Sequence, residues 1–404
     1  METKNQKWLV FAVLCLAYMP ASYAQYQLSV FAPDLMADYG LTTSQFSSVF
    51  TSPMLVAIFL SFAGGIISDR FGAKKVTSIA FVLTCIGLIG RIFAGSYLPF
   101  FLCMALTGFS QMFVNTNASK IMGSWFEPKK VGMLMGVFAL CGQIPGAFAT
   151  ATTAVLFPNM KAAYGAAAVF GVLVFALWLL FVKDRPGTSG EQEVKEEISE
   201  KQASVRECLG VVLKNKGIWC ISVCIMMILG CNVTLSTFLP IALQKMHGLD
   251  LAVCGTIASM ITLGNCVGSI TGPIIFQKVG RVKRFVPGIA ALSFVSVLIC
   301  WRFDSVLLLY AFCLLTGTLL GAAMPIFFSA PILLEGIGIR YAGSAAGVIA
   351  TLQLLGAVLI PTYILTPIAG ENYGLLFSLA ALCMLVMFVF GLLIPEFTTS
   401  KETI

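Results

Sequence analysis

Apolar residues in this chain come in long runs rather than in alternation. An α-helix needs about 20 mainly apolar residues to cross a bilayer. Twelve stretches of that kind run over roughly 8–32, 46–67, 76–94, 97–120, 131–156, 162–182, 217–242, 251–273, 285–301, 305–328, 342–365 and 373–394. The period-two pattern that a membrane β-barrel requires does not run through them. The expectation is an all-α membrane protein with twelve transmembrane helices.

The second six stretches repeat the first six at a spacing of 207 to 211 residues. Leu28-Ser29-Val30-Phe31-Ala32-Pro33, followed by Gly40-Leu41, returns as Leu235-Ser236-Thr237-Phe238-Leu239-Pro240, followed by Gly248-Leu249. Gly64 and Gly72 return as Gly272 and Gly280, Thr107-Gly108 as Thr316-Gly317, Gly132 and Gly136 as Gly343 and Gly347, and Trp8 as Trp219. An ordered series with a slowly drifting offset predicts two pseudo-symmetric six-helix bundles, 1–182 and 217–404. The polar stretch between them, 183–216, holds seven acidic and seven basic residues. It reads as a solvated linker with a surface helix around 191–213. Two bundles joined in this way can rock about a central site, which is alternating access.

Composition agrees with a lipid environment. Of 404 residues 58% are hydrophobic and 11% charged, with a mean hydropathy of +0.94, whereas soluble domains carry about 25% charged residues. The 25 Lys and Arg residues are unevenly placed: with the N-terminus in the cytoplasm, 21 fall on cytoplasmic segments and four, Arg91, Lys161, Lys245 and Arg302, toward the outside. This positive-inside asymmetry predicts a multi-pass protein of the cytoplasmic membrane with both termini in the cytoplasm. The net charge of +7 is then a topology signal and calls for no nucleic-acid partner. Ser22-Tyr23-Ala24 has the look of a signal-peptidase site, but the repeat requires the first stretch as a structural member. Twelve of the thirteen cysteines, all but Cys208, lie in the apolar stretches as packing residues. With the lone His247 they form no metal-ligating cluster, so no metal is expected.

After the second stretch comes Gly65-Ile66-Ile67-Ser68-Asp69-Arg70-Phe71-Gly72-Ala73-Lys74-Lys75. It resembles the loop signature of the major facilitator superfamily, G-x-x-x-D-R-[FY]-G-x-[KR]-[KR]. The half-repeat keeps Gly280, Lys283 and Arg284 but has Gln277 opposite Asp69. Gly65 allows close helix approach and Gly72 a tight turn. The resemblance implies the facilitator fold and a state-dependent latch built from Gly65, Asp69, Arg70, Gly72, Lys74 and Lys75, not a substrate site. Glycines and proline in the fifth stretch (Gly132, Gly136, Gly142, Pro145, Gly146) and glycines in the eleventh (Gly343, Gly347, Gly356) suit either static packing or a moving interface.

Polar residues inside apolar stretches point to where cargo could sit, because each costs free energy unless it has a partner or a task. The first stretch carries Tyr23, Gln25, Tyr26 and Gln27. The fourth has Gln111 and Asn115 on one face, then Asn117. Gln143, Asn232, Asn265 and Gln353 lie in the fifth, seventh, eighth and eleventh. Together they could ring a cavity with neutral hydrogen-bonding groups. Arg91, about 8 Å below the outer surface at 1.5 Å per residue, could attract an anion, but its stem is long enough to snorkel outward, and snorkelling is the favoured reading. None of the 18 acidic residues falls at mid-membrane. Met104 stands where many proton-coupled facilitators have a basic residue ahead of the glycine.

Ser110-Gln111-Met112-Phe113, continuing to Ser119-Lys120-Ile121 and Trp125-Phe126, resembles the feline-leukaemia-virus-receptor branch of haem/choline facilitators. Gly142-Gln143 and Gln353-Leu354-Leu355-Gly356 are similar to the glutamines of that branch's central site. The resemblance implies that Gln143 and Gln353 bind a small polar or quaternary-ammonium solute, with Tyr23 or Tyr26 offering a cation–π face. The tryptophan expected in the first stretch is absent, and Gln25 stands near its place.

The reading is a secondary active or facilitative transporter of a small polar organic solute, a monomer in the bilayer, with a coupling ion as a further partner and no cofactor. A proton-coupled multidrug exporter and a small organic-anion porter are the alternatives. A membrane enzyme would need His, Asp, Glu or Ser clustered at one face, and a sensor would carry a substantial output domain.

Overall fold

The computed structural model describes residues 2–126, 128–182, 205–334 and 336–396, without the side chains of some residues inside helices, Asp69 among them. The first six expected stretches are helices α1 (Glu2–Val30), α3 (Thr43–Phe71), α4 (Ala73–Phe93), α5 (Tyr97–Trp125), α6 (Pro128–Leu156) and α7 (Met160–Phe181), with a short α2 (Ala32–Tyr39) after α1. The next six are α9 (Lys216–His247), α10 (Leu251–Val279), α11 (Val282–Ile299), α12 (Val306–Ala322) with α13 (Met324–Leu333), α14 (Gly338–Leu359) continued by a π-helical turn (Ile360–Leu365) and α15 (Thr366–Ala369), and α16 (Tyr373–Leu393). Eleven spans among the described residues are long and apolar enough to cross a membrane. α6 stands in the remaining place, with several side chains outside the described set. Of the linker, 183–204 lie outside the described residues; of the surface helix expected around 191–213, the part from Val205 is helical, as α8 (Val205–Lys214). Two stretches are less regular than expected: the tenth breaks at Ala323 ahead of Pro325, and the eleventh widens at Pro361.

Glycines that repeat in sequence do the same work in both halves. Gly40 (φ 60°) and Gly248 (φ 64°) end the helices before α3 and α10, while Gly72 (φ 90°) and Gly280 (φ 70°) end α3 and α10 themselves. Positive φ is open to glycine without a Cβ clash. Gly108 of α5 lies against the backbone of Pro53 in α3, and Gly317 of α12 lies against the backbone of Ile261 in α10. Between α4 and α5 the Thr84 hydroxyl donates to the Thr107 carbonyl at 3.2 Å. Ser296 and Thr316 join α11 to α12 at 2.6 Å. Small residues and hydroxyls hold helices together where lipid supplies no hydrophobic drive between them.

The turn after α3 is held from below by Asn117, whose amide donates to Ser68 at 3.0 Å and to Thr77 at 3.2 Å, pinning α3, α4 and α5. Asn117 is therefore a buried tie and not a cavity group. Lys74 donates to the Leu179 carbonyl of α7 at 3.2 Å, and Arg70 lies over Phe71. The side chain of Asp69, central to the expected latch, and Gly65 fall outside the described residues. Glu396, beyond α16, accepts from the Val282 N–H at 2.9 Å and so caps α11.

A Cβ at Gly108 would run into Pro53, whereas Gly123, near the end of the same helix, meets nothing within 4 Å. Gly108→Leu is expected to abolish the monodisperse peak of purified protein in size-exclusion chromatography, and Gly123→Leu to retain it.

Candidate functional site

α1, α3 and α5 of the first half face α9 and α14 of the second across a cavity of about 990 Å³. From α1 it receives Tyr18 and Gln25; from α5, Gly108, Gln111, Met112, Asn115 and Thr116; from α14, a stripe at helical spacing formed by Ser344, Gly347, Val348, Thr351 and Leu354. α3 adds Pro53, Met54, Ala57 and Ile58. The cavity reaches Trp219 in the first turn of α9, so it extends toward the face that carries Gly72 and Gly280.

Toward the opposite face, that of Gly40 and Gly248, the halves are in contact. Three hydroxyls of α3 meet two from the eleventh stretch: Ser44 with Thr366 at 2.9 Å, Ser47 with Thr362 at 2.8 Å, and Thr51 with Thr362 at 3.3 Å. The rings of Phe46 and Phe238 meet edge to face at 5.9 Å, Tyr26 lies beside Ser236 of α9, and Gly255 of α10 lies on the backbone of Thr150 in α6. The result is a pocket with one accessible end and one closed seam.

The expected site residues divide among three places. Gln111 and Asn115 line the cavity; the Gln111 amide donates to Ser22 at 2.8 Å and lies beside Tyr18, while Asn115 is exposed and makes no hydrogen bond among the described residues. Tyr26 belongs to the closed seam, with its ring on Phe50. The others are elsewhere. Tyr23 packs against Phe148 and Phe170. Asn232 is buried in α9, accepting from Ser236 at 3.4 Å. Asn265 is buried where Gly321 of α12 presses on its backbone. Gln143 is exposed and Gln353 half-buried, and neither lines the cavity. Helical phase explains both: Gly142 and Gly146 turn one face of α6 onto Tyr18 and Tyr26, and Gln353 falls beside the α14 stripe rather than on it.

Arg91 does not snorkel. It is fully buried inside the first half, donating to the Ala24 carbonyl and to Gln27, both at 2.9 Å, with its guanidinium 4.3 Å from the centre of the Tyr164 ring. Gln27 in turn donates to the Ala163 carbonyl at 3.1 Å. The charge is spent on holding α1, α4 and α7 together, and it is shielded from the cavity. Tyr18, Thr116, Ser344 and Thr351 are cavity groups that the sequence reading passed over. The spacing of Tyr18, Ser22 and Gln25 on one face of α1 was the available signal.

Residues 14–361 match the Major Facilitator Superfamily. The chain belongs to that superfamily. It is 26% identical to the hexuronate transporter of Bacillus subtilis, over 39% of this chain and 38% of that one. It is 24% identical to a probable sulfoacetate transporter of Cupriavidus necator, over 68% and 67%, and to the membrane sensor protein UhpC of Salmonella typhimurium, over 65% and 62%. The facilitator thus spans 38–67% of the length of these curated relatives. Two solved facilitators share its fold. A bacterial homologue of the human lysosomal transporter Spinster, inward-facing and occupied, has a TM-score of 0.76 at 13% identity, covering 95% of this chain and 96% of that one. A D-xylose–proton symporter has 0.68 at 15%, covering 95% and 97%.

Removing the buried arginine strands the Ala24 carbonyl and the Gln27 amide oxygen and empties a packed volume. Arg91→Ala is expected to destabilise the protein by on the order of 2–4 kcal/mol, read as a lowered Tm of the purified protein. Gln143→Ala should leave Tm unchanged.

Proposed function

We propose that this facilitator is a secondary active or facilitative carrier that moves a small polar organic solute across the cytoplasmic membrane by alternating access, working as a monomer with both termini in the cytoplasm. The observation that carries the proposal is the cavity between the halves, accessible toward the Gly72 and Gly280 face and closed at the other. The concentration of Lys and Arg on the Gly72 and Gly280 side supports calling that side cytoplasmic, and the conformation inward-facing. Transport then requires the hydroxyl seam between α3 and the eleventh stretch to part while the cytoplasmic end closes. The signature loop, with Asp69, Arg70, Gly72, Lys74 and Lys75, is suited to latch that closed cytoplasmic end.

Hexuronate and sulfoacetate, in the relatives' names, are organic anions, and the xylose symporter's name includes a proton. The acidic side chains among the described residues, Asp34, Asp38, Asp250, Asp304, Glu371 and Glu396, all lie outside the membrane-crossing helices. A coupling proton would therefore have to use a group other than these, or an end of the molecule.

Ser47 and Thr362 already touch, so the Ser47→Cys/Thr362→Cys double variant is expected to cross-link under mild oxidation. In proteoliposomes the cross-link should abolish solute exchange, and reduction should restore it. Exchange that continues through the cross-linked protein overturns alternating access at this seam. A ligand-induced signal without any flux would instead assign the chain to sensing. Asp69→Asn is expected to lower exchange several-fold at unchanged Tm; an unchanged rate removes the latch. Labelling of Lys74 and Lys283 from one side of the membrane only, the cytoplasmic side, checks the orientation.

A further inference from the structure

Among its described lining residues the cavity carries no Lys, Arg, His, Asp or Glu. The cation nearest in expectation, Arg91, is sealed inside the first half and consumed by Ala24, Gln27 and Tyr164. The two walls also differ. The α5 wall supplies amides: Gln111, held in place by Ser22, and Asn115, which is exposed and without a partner among the described residues. The α14 wall supplies small or apolar groups such as Gly347, Val348 and Leu354, with Thr351 bonding back to the Gly347 carbonyl at 2.9 Å.

A carrier must pass through a state in which the cavity is closed at both ends and bulk water is excluded. An ion enclosed there gives up its hydration and, in this lining, finds no opposite charge in return. A neutral solute needs only its hydrogen bonds matched, and a free primary amide offers both a donor and an acceptor. The thioethers of Met54 and Met112 beside it adapt to irregular apolar shapes. The volume of about 990 Å³ lies at the top of the range of about 300–1,000 Å³ typical of small-molecule sites.

We propose that this cavity, read as the transport site, selects an uncharged amphiphilic solute. Its hydrogen-bonding head lies against Asn115 and Gln111, and its apolar body lies against Met54, Met112 and Val348. Carboxylate- and sulfonate-bearing solutes are rejected for want of a cation among the described lining residues.

The experiment needs no knowledge of the natural cargo. Asn115→Cys in the full-length purified protein is treated with three methanethiosulfonates: neutral benzyl, anionic sulfonatoethyl and cationic trimethylammonioethyl. Modification of that position is followed by peptide mass, and each rate is divided by the reagent's rate with a small thiol in solution. The neutral reagent is expected to react about ten-fold faster than either charged one. Thr351→Cys, on the facing wall, is expected to give the same order, which separates a property of the cavity from one of a single position. A sulfonate or ammonium reagent that matches or exceeds the neutral one at both positions overturns the proposal while leaving the transport site in place. Absence of modification by all three at both positions, in protein of normal Tm, removes the cavity itself and the proposal with it.

Discussion

A polar group in hydrocarbon must find its partner inside its own protein, because lipid offers none. That constraint sorts the polar side chains of this facilitator. Asn117, Thr84 and Arg91 are spent on tying neighbouring helices within one half. Ser44, Ser47 and Thr51 meet Thr362 and Thr366 across the halves. Gln25, Gln111 and Asn115 line the cavity between the halves, Gln25 while donating to the Phe50 carbonyl at 2.8 Å. The first set ties the helices of the first half to one another, the second holds the bundles closed at one end, and the third faces the cavity.

The strength of the seam matters as much as its position. An interhelical hydrogen bond in a membrane contributes about 0.6 kcal/mol on average, so the three hydroxyl contacts amount to roughly 2 kcal/mol. Breaking a buried ion pair would cost about 3–5 kcal/mol. A lock of the smaller size lies within the differential binding energy a small solute can supply, so two conformations can exchange without an energy source acting on the seam itself. The Arg91 tie within the first half is stronger in kind: a fully buried guanidinium with two carbonyl-type acceptors and an aromatic face is not a contact that opens and closes.

Much of the fold was legible because it rests on one-dimensional signals. Span length and the repeated glycines each follow from local chemistry; Gly72 and Gly280 recur because the same turn recurs. The site was legible only in part. Sequence shows that Gln111, Asn115, Asn117 and Gln143 lie deep in apolar stretches, but which of them faces a neighbour is set by the rotation of each helix against the others. Asn117 turned toward Ser68 and Thr77, and Gln143 turned out of the cavity, for reasons held in other helices. Arg91 misled in the same way. Its acceptors belong to α1, more than sixty positions away in the chain, and only the packed bundle brings them together.

The hydroxyl seam has a further property that bears on how it could open. Thr51 also bonds the Ser47 carbonyl, and Thr366 bonds the Thr362 carbonyl, each at 2.9 Å within its own helix. Ser and Thr can back-bond in this way to a carbonyl one turn earlier. When the halves separate, these two hydroxyls are therefore already satisfied, and only Ser44, Ser47 and Thr362 need water in place of their partners. Thr362 sits in the π-helical turn behind Pro361, where the regular backbone ladder is already interrupted. A seam of side chains with partners at home, hinged on an irregular turn, can part without leaving a buried group stranded. A row of carboxylates and ammonium groups in the same place could not.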